Sequence, residues 1–310
     1  MMKEKIQCLP LPIGGVVLAL FSFAKLLLSI NMTTVSYVMI AVGSVIVIGL
    51  ILKIVLAPEA ILNDMYNAMI VAVMPTWTMA FMVLSSLWMT HTFWEVIWYA
   101  AMFAHFALMI YFTYRFVVKV EVHLKDVYPS WFIMYIGMGV MPLTAGDRLS
   151  MLMTFVTWAC IGFALLFIPL LFKRIATYGL PTPTRPLMGI LAAPASLITA
   201  GYIAHASAPK AVVVIIGITC AQLLYGYVLT QLPNILKLPF FPTYAALTFP
   251  FVISATALMN VLSYLEVTNV VAQLLVSVEI FIAFALVTYV TIRYGVHMYK
   301  QMRATSMASV

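Results

Sequence analysis

The sequence predicts an all-α polytopic membrane protein, ten transmembrane helices paired as five helical hairpins in one domain over residues 1–310. Three observations carry this. Hydrophobic residues make up 65% of the chain and charged residues 8%, with a mean hydropathy of +1.11, which leaves almost nothing for a water-facing domain. Apolar stretches long enough to cross a bilayer recur near 12–30, 34–56, 69–89, 92–114, 130–146, 151–172, 187–204, 211–233, 243–263 and 269–296. Prolines then sort these stretches into two alternating kinds.

The first span opens with Pro10 and Pro12 and runs into Gly14-Gly15, while the second carries no internal break. The third holds Pro75 and the fourth has no proline; the fifth holds Pro142 and the sixth has Pro169 only in its last turns. Pro194 interrupts the seventh, Pro233 falls late in the eighth, Pro250 interrupts the ninth, and the tenth has none. Odd spans start at 12, 69, 130, 187 and 243, so successive starts lie 57, 61, 57 and 56 residues apart. The repeating unit is therefore one broken helix followed by one straight helix. A proline removes a backbone N–H and frees a carbonyl one turn earlier. Lipid offers neither a partner, so such a defect belongs where the helix is buried or lines a cavity. Odd helices are expected inside and even helices outside, with Gly14, Gly15, Pro75, Gly137, Gly139, Pro142, Pro194 and Pro250 along a central path.

The formal net charge of +7 concerns topology, not nucleic acid. On the side of the N-terminus lie thirteen basic residues: Lys3, Lys5, Lys53, Arg115, Lys119, Lys125, Lys173, Arg174, Arg185, Lys237, Arg293, Lys300 and Arg303. The opposite side has Lys25, Arg148 and Lys210. This asymmetry predicts a multi-pass protein of the cell (inner or plasma) membrane with both termini cytoplasmic, its basic loops touching lipid headgroups. The first span lacks a small-residue cleavage site and is expected to be retained. Cys8, Cys160 and Cys220 have no paired spacing, so neither a disulfide framework nor a metal site is indicated. No phosphate-binding loop, zinc-protease motif or nucleophile elbow occurs, which argues against an ATP-driven pump or an enzyme and calls for no cofactor.

Ionisable groups within spans are functional candidates by default. Lys25, toward the far end of the first span, either attracts anions into an external mouth or snorkels to headgroups. His105 and Glu279 lie in mid-span on even helices, as packing residues or as carriers of a coupled proton. The odd spans from the third onward carry no charge. A permeant there meets backbone dipoles, small side chains and rings; such weak sites suit conduction, and ion polarity does not follow from them alone.

Four motifs bear on that polarity. Pro10-Leu11-Pro12-Ile13-Gly14 with Leu18-Ala19-Leu20, Pro129-Ser130-Trp131-Phe132 with Tyr135-Ile136-Gly137, Leu191-Ala192-Ala193-Pro194-Ala195-Ser196 with Gly201-Tyr202, and Tyr244-Ala245-Ala246-Leu247-Thr248-Phe249-Pro250 fall on four odd spans in order. Together they resemble the tellurite-resistance/dicarboxylate transporter family, which includes the slow-type anion channels of plant guard cells. The resemblance implies a quasi-five-fold arrangement of the hairpins around a central pore, homotrimeric assembly, and an aromatic gate on the ninth helix. Aligned on Thr-Phe-Pro, that gate is Phe249, with Phe241 and Phe251 as rivals if the register slips. Lys25 departs from the small or amide residue common in the family, and Tyr244-Ala245 reduces a double aromatic.

The expected function is passive transport of small anions or carboxylates through a pore gated by Phe249; the alternative is a proton-coupled C4-dicarboxylate carrier. The two separate at Glu279. In a coupled carrier Glu279→Gln shifts the pH dependence of anion uptake into vesicles, whereas an unchanged profile removes that residue from any proton path.

Overall fold

The computed structural model describes residues 2–308; Met1, Ser309 and Val310, the extreme ends of the predicted domain, lie outside the described residues. The α-helices that build the membrane domain are α1 (Gly14–Ser29), α2 (Thr33–Leu56), α3 (Ala68–Val73), α4 (Pro75–Ser86), α5 (Thr92–Thr113), α6 (Trp131–Tyr135), α7 (Val140–Thr144), α8 (Ser150–Tyr178), α9 (Pro194–His205), α10 (Ala211–Leu236), α11 (Phe249–Tyr264) and α12 (Val270–Ala308). Tighter 3₁₀ stretches lead into four of the inner pieces: Leu11–Ile13 before α1, Gly137–Gly139 before α7, Thr182–Ala192 before α9 and Pro242–Leu247 before α11. Among the described residues there is no strand.

Nine helical segments among the described residues are long and apolar enough to cross a membrane. The predicted fifth span, 130–146, is a chain of three short pieces, α6, Gly137–Gly139 and α7, and is too fragmented to count as one helix. Two glycines in a row of four residues, followed by Pro142, favour a break over a continuous helix.

Burial alternates along the chain. The apolar windows of Leu11–Ser29, Ala68–Ser86, Thr182–His205 and Pro242–Tyr264 are 72–78% buried, against 22–33% for Thr33–Leu56, Thr92–Val118, Ser150–Tyr178, Ala211–Leu236 and Val270–Ala304. The second group presents Val45, Val55, Phe103, Leu165, Leu223 and Phe281 outward, side chains that lipid tails solvate as well as a protein core does. Each inner segment packs on the straight helix that follows it: α1 on α2, α4 on α5, α7 on α8, α9 on α10 and α11 on α12. The inner segments also form a closed sequence of contacts, α1 to α4, α4 to α7, α7 to α9, α9 to α11, and α11 back to α1.

Prolines start the second half of three inner segments at a point where their missing N–H costs little. Pro75 is the first residue of α4, Pro194 the first of α9, and Pro250 the second of α11, positions whose N–H has no intrahelical acceptor in any case. The carbonyls released around the breaks find donors on neighbouring elements. Trp77 Nε1 donates to Leu11 O at 3.0 Å, Lys53 Nζ to Leu9 O at 2.7 Å, Thr243 Oγ1 to Pro183 O at 2.5 Å, and the Tyr294 hydroxyl to Pro242 O. This accounting is what lipid demands of any irregular backbone at depth.

Without a hydrophobic gain on moving from lipid to protein, the ring is held by close packing and hydrogen bonds, so small residues sit where segments touch. A Cβ on Gly189 in Thr182–Ala192 would lie 2.4 Å from Ala246 O in Pro242–Leu247. Backbone cannot yield as a flexible side chain does. Gly189→Ala is therefore expected to destabilise the folded protein by roughly 1–3 kcal/mol through overpacking. Gly226→Ala, where a Cβ meets nothing within 4 Å, should be neutral or stabilising by up to about 1 kcal/mol through helix propensity. Thermal unfolding of the two variants in detergent checks both signs.

Candidate anion path

The five inner segments enclose a cavity of about 490 Å³ that opens toward the N-terminus. Its walls are Pro12, Gly15 and Leu18 from the first segment, Val73, Thr76 and Met79 from the second, and Phe132, Ile136 and Gly137 from the third. Leu187, Ala193, Pro194 and Leu197 come from the fourth, and Thr243, Ala246, Phe249 and Pro250 from the fifth. At the mouth the lining turns polar, with Gln7, Lys53, Asp64, His297 and Gln301. The straight helices reach the cavity only there, through the last turns of α2 and α12.

The cavity is lined by the junctions within the inner segments. Gly15 near the start of α1, Thr76 in the first turn of α4, Pro194 at the start of α9 and Phe249 at the start of α11 all line it. Odd segments enter from the same side, so these four N-termini point the same way. Within each segment the peptide dipoles run in one direction, from the helical turn before the junction into the α-helix after it, with their positive ends toward the mouth. Among the described residues the walls at this depth hold no ionised side chain, so peptide dipoles and not fixed charges define the electrostatics there.

The residues singled out from sequence divide between the cavity and its packing. Gly15, Gly137, Pro194, Pro250 and Phe249 line the cavity. Gly14, Pro75, Gly139 and Pro142 do not; they are buried between segments. Gly14 lies so close to Thr76 that a Cβ would come within 2.5 Å of its hydroxyl, and a Cβ on Gly139 would meet Leu197 at 3.1 Å. Lys25 lies away from the cavity and donates to Ser86 Oγ at 2.9 Å, joining the far ends of α1 and α4. His105 is fully buried, its Nδ1 2.9 Å from Thr78 Oγ1, and so pins α5 to the back of α4. Glu279 is buried on α12, and its Oε2 has no hydrogen-bond partner. Of the rival aromatics, Phe251 turns away to pack edge-on against Tyr225, ring centroids 5.5 Å apart, and Phe241 is absent from the lining.

Two features escape sequence reading. Lys53 at the end of the second apolar stretch and Asp64 just beyond it look like ordinary charges at a membrane boundary, yet the fold brings both to the cavity mouth. Thr248 also matters more than its motif suggests. It is fully buried with φ −111° and ψ −81°, and its hydroxyl lies 3.0 Å from Gly15 O and 2.7 Å from Ala245 O. One residue thus ties the fifth inner segment to the first immediately before Phe249.

A family model described as voltage-dependent anion channel matches residues 8–294, nearly the whole chain. No curated protein matches it.

Replacing Thr248 by valine keeps the volume and removes the hydroxyl, leaving Gly15 O without that donor. The expected loss is about 1–2 kcal/mol, with faster hydrogen–deuterium exchange across residues 242–250 than in α10. Unchanged exchange there would show that close packing alone holds the break.

Proposed function

The chain belongs to the voltage-dependent anion channel family, and from that premise we propose that it conducts small anions or carboxylates passively across a membrane, through the cavity between its inner segments. The observation that carries this reading is a cavity between helical segments that run the same way, whose deeper walls hold no ionised side chain among the described residues, so that aligned peptide dipoles face it in place of fixed charges. An anion gains from those dipoles without meeting a fixed cation from which it could not leave, which is the balance conduction needs. A cation finds the opposite sign.

In this reading α6, Gly137–Gly139 and α7 together act as a tenth crossing, and the ring of contacts among inner segments is a quasi-five-fold barrel of ten helices around a pore. The gate is Phe249. Its side chain is 6% exposed and lies at the deep end of the cavity with Leu18, Met79 and Leu197, and its backbone is anchored by Thr248. A ring there blocks passage as an apolar plug that excludes water. The proposal places the protein in the cell membrane with its termini in the cytoplasm, as a homotrimer.

A proton-coupled carrier is the second reading, favoured by one observation, the buried Glu279 with an unpartnered oxygen. It sits on the lipid-side helix α12 and not in the cavity lining, which favours passive conduction.

Removing the ring should open the path. Phe249→Ala in planar bilayers under a chloride gradient is expected to raise conductance at least tenfold over the unaltered protein, with reversal at the anion potential. If both forms are silent while carboxylate uptake into vesicles follows a pH gradient, the carrier reading replaces this one.

A further inference from the structure

Among the described residues two with a formal charge line the cavity, and they face each other at its mouth. Lys53, in the last turn of α2, is 3% exposed. Its ammonium donates to Leu9 O at 2.7 Å and stands 3.8 Å from the Asp64 carboxylate. The first contact is a full hydrogen bond. The second is about 1 Å longer than a charge-assisted N–H···O bond, so it is held mainly by charge. An ammonium has three N–H groups and no acceptor. One holds Leu9 and another faces Asp64, while Lys53 itself lines the cavity.

Asp64 is placed to leave. It is the last residue of the short helix Pro58–Asp64, is followed by a turn, and keeps 27% of its side chain exposed. Swinging into water costs it little solvation. Lys3 does not compete for the role, because it pairs with Glu59 at 3.5 Å on the outer surface of that helix. The remaining polar lining at the mouth, Gln7, His297 and Gln301, carries no fixed acid.

We propose that Lys53 is a docking site for the permeant anion at the N-terminal mouth, and that Asp64 is a built-in competitor which the anion displaces. A small anion entering the cavity takes the place of the carboxylate against the ammonium, and Asp64 rotates outward. The anion then moves deeper into the cavity, where it meets partial charges only. The site rests on the proposed conduction in taking its ligand to be an anion, and it adds a step of selection before the gate: an anion must outcompete a tethered carboxylate.

The test is chloride titration of the purified full-length protein in detergent, read as a thermal shift, with ionic strength held constant by a bulky organic sulfonate. Asp64→Asn should lower the half-saturating chloride concentration about three- to tenfold, as expected for removing one competing charge at ~4 Å in a partly hydrated site. Lys53→Gln should abolish the shift. Because Asp64→Asn is expected to improve binding, misfolding cannot imitate success, and it decides the matter even if Lys53→Gln does not fold. Equal half-saturation for Asp64→Asn and the unaltered protein would overturn the proposal. Currents through Phe249→Ala are read separately: their absence would overturn conduction, and the titration would still decide whether Lys53 and Asp64 form an anion site.

Discussion

The structure follows from one constraint: in hydrocarbon, a backbone carbonyl or N–H without a protein partner costs several kcal/mol. The five inner segments are irregular along their N-terminal parts, and irregular backbone leaves such groups in need of partners. The straight helices α2, α5, α8, α10 and α12 form the outer sheath that makes this tolerable. They keep lipid away from the breaks and also supply donors. Lys53 from α2 reaches Leu9 O, and Tyr294 from α12 reaches Pro242 O. Inner segments cap one another as well, through Trp77 to Leu11 O and Thr248 to Gly15 O. The sheath and the irregular interior are therefore one solution, since neither arrangement is stable in lipid without the other.

Satisfying the backbone by cross-links draws the segments close, and closeness selects small residues. Gly14 against Thr76 and Gly189 against Ala246 are positions where a single methyl group would collide, and at Gly139 it would press on Leu197. The same closeness leaves side chains little say in the electrostatics of the cavity. What remains to define it are the peptide dipoles of the segments that line it. In the proposed conduction, a neutral wall favours negative charge through the aligned peptide dipoles of its segments.

Much of this was legible in the chain. Pro75, Pro142, Pro194 and Pro250 mark the inner segments because proline has a local meaning that no tertiary contact erases. The alternation of broken and straight spans carried through to the alternation of burial. The internal form of the breaks was not legible. Thr182–Ala192 is an eleven-residue 3₁₀ stretch, far longer than such helices usually run, and its stability comes from Ala246 and its neighbours on another segment. Four of the glycines and prolines expected on the path, Gly14, Pro75, Gly139 and Pro142, instead serve packing between segments, because spacing along the chain gives a residue's depth but not which way it faces. Lys53 and Asp64 were hidden for a related reason. Their charges read as the boundary of one span and the loop after it, eleven positions apart, and the short helix Pro58–Asp64 brings them together at the mouth. Thr248 gave no sign beyond its motif, since a hydroxyl's acceptor lies wherever the fold puts a free carbonyl.

The one-sided shape of the cavity has an electrical consequence. Its roughly 490 Å³ has room for on the order of fifteen waters at the liquid volume of one molecule. Water of that extent is a far better dielectric than the protein and lipid around it, so the N-terminal half of the path sits close to the potential of the solution it opens to. Nearly the whole membrane voltage then falls across the packed half beyond Phe249, where Leu20, Phe23, Met82 and Val83 are buried. A charge moving across that half does the full electrical work, about 2.3 kcal/mol per 100 mV. An ion waiting in the cavity feels almost none of it. In the proposed conduction Lys53 would therefore meet an anion at near-solution potential, while the segment beyond the phenylalanine would bear the force of the membrane field.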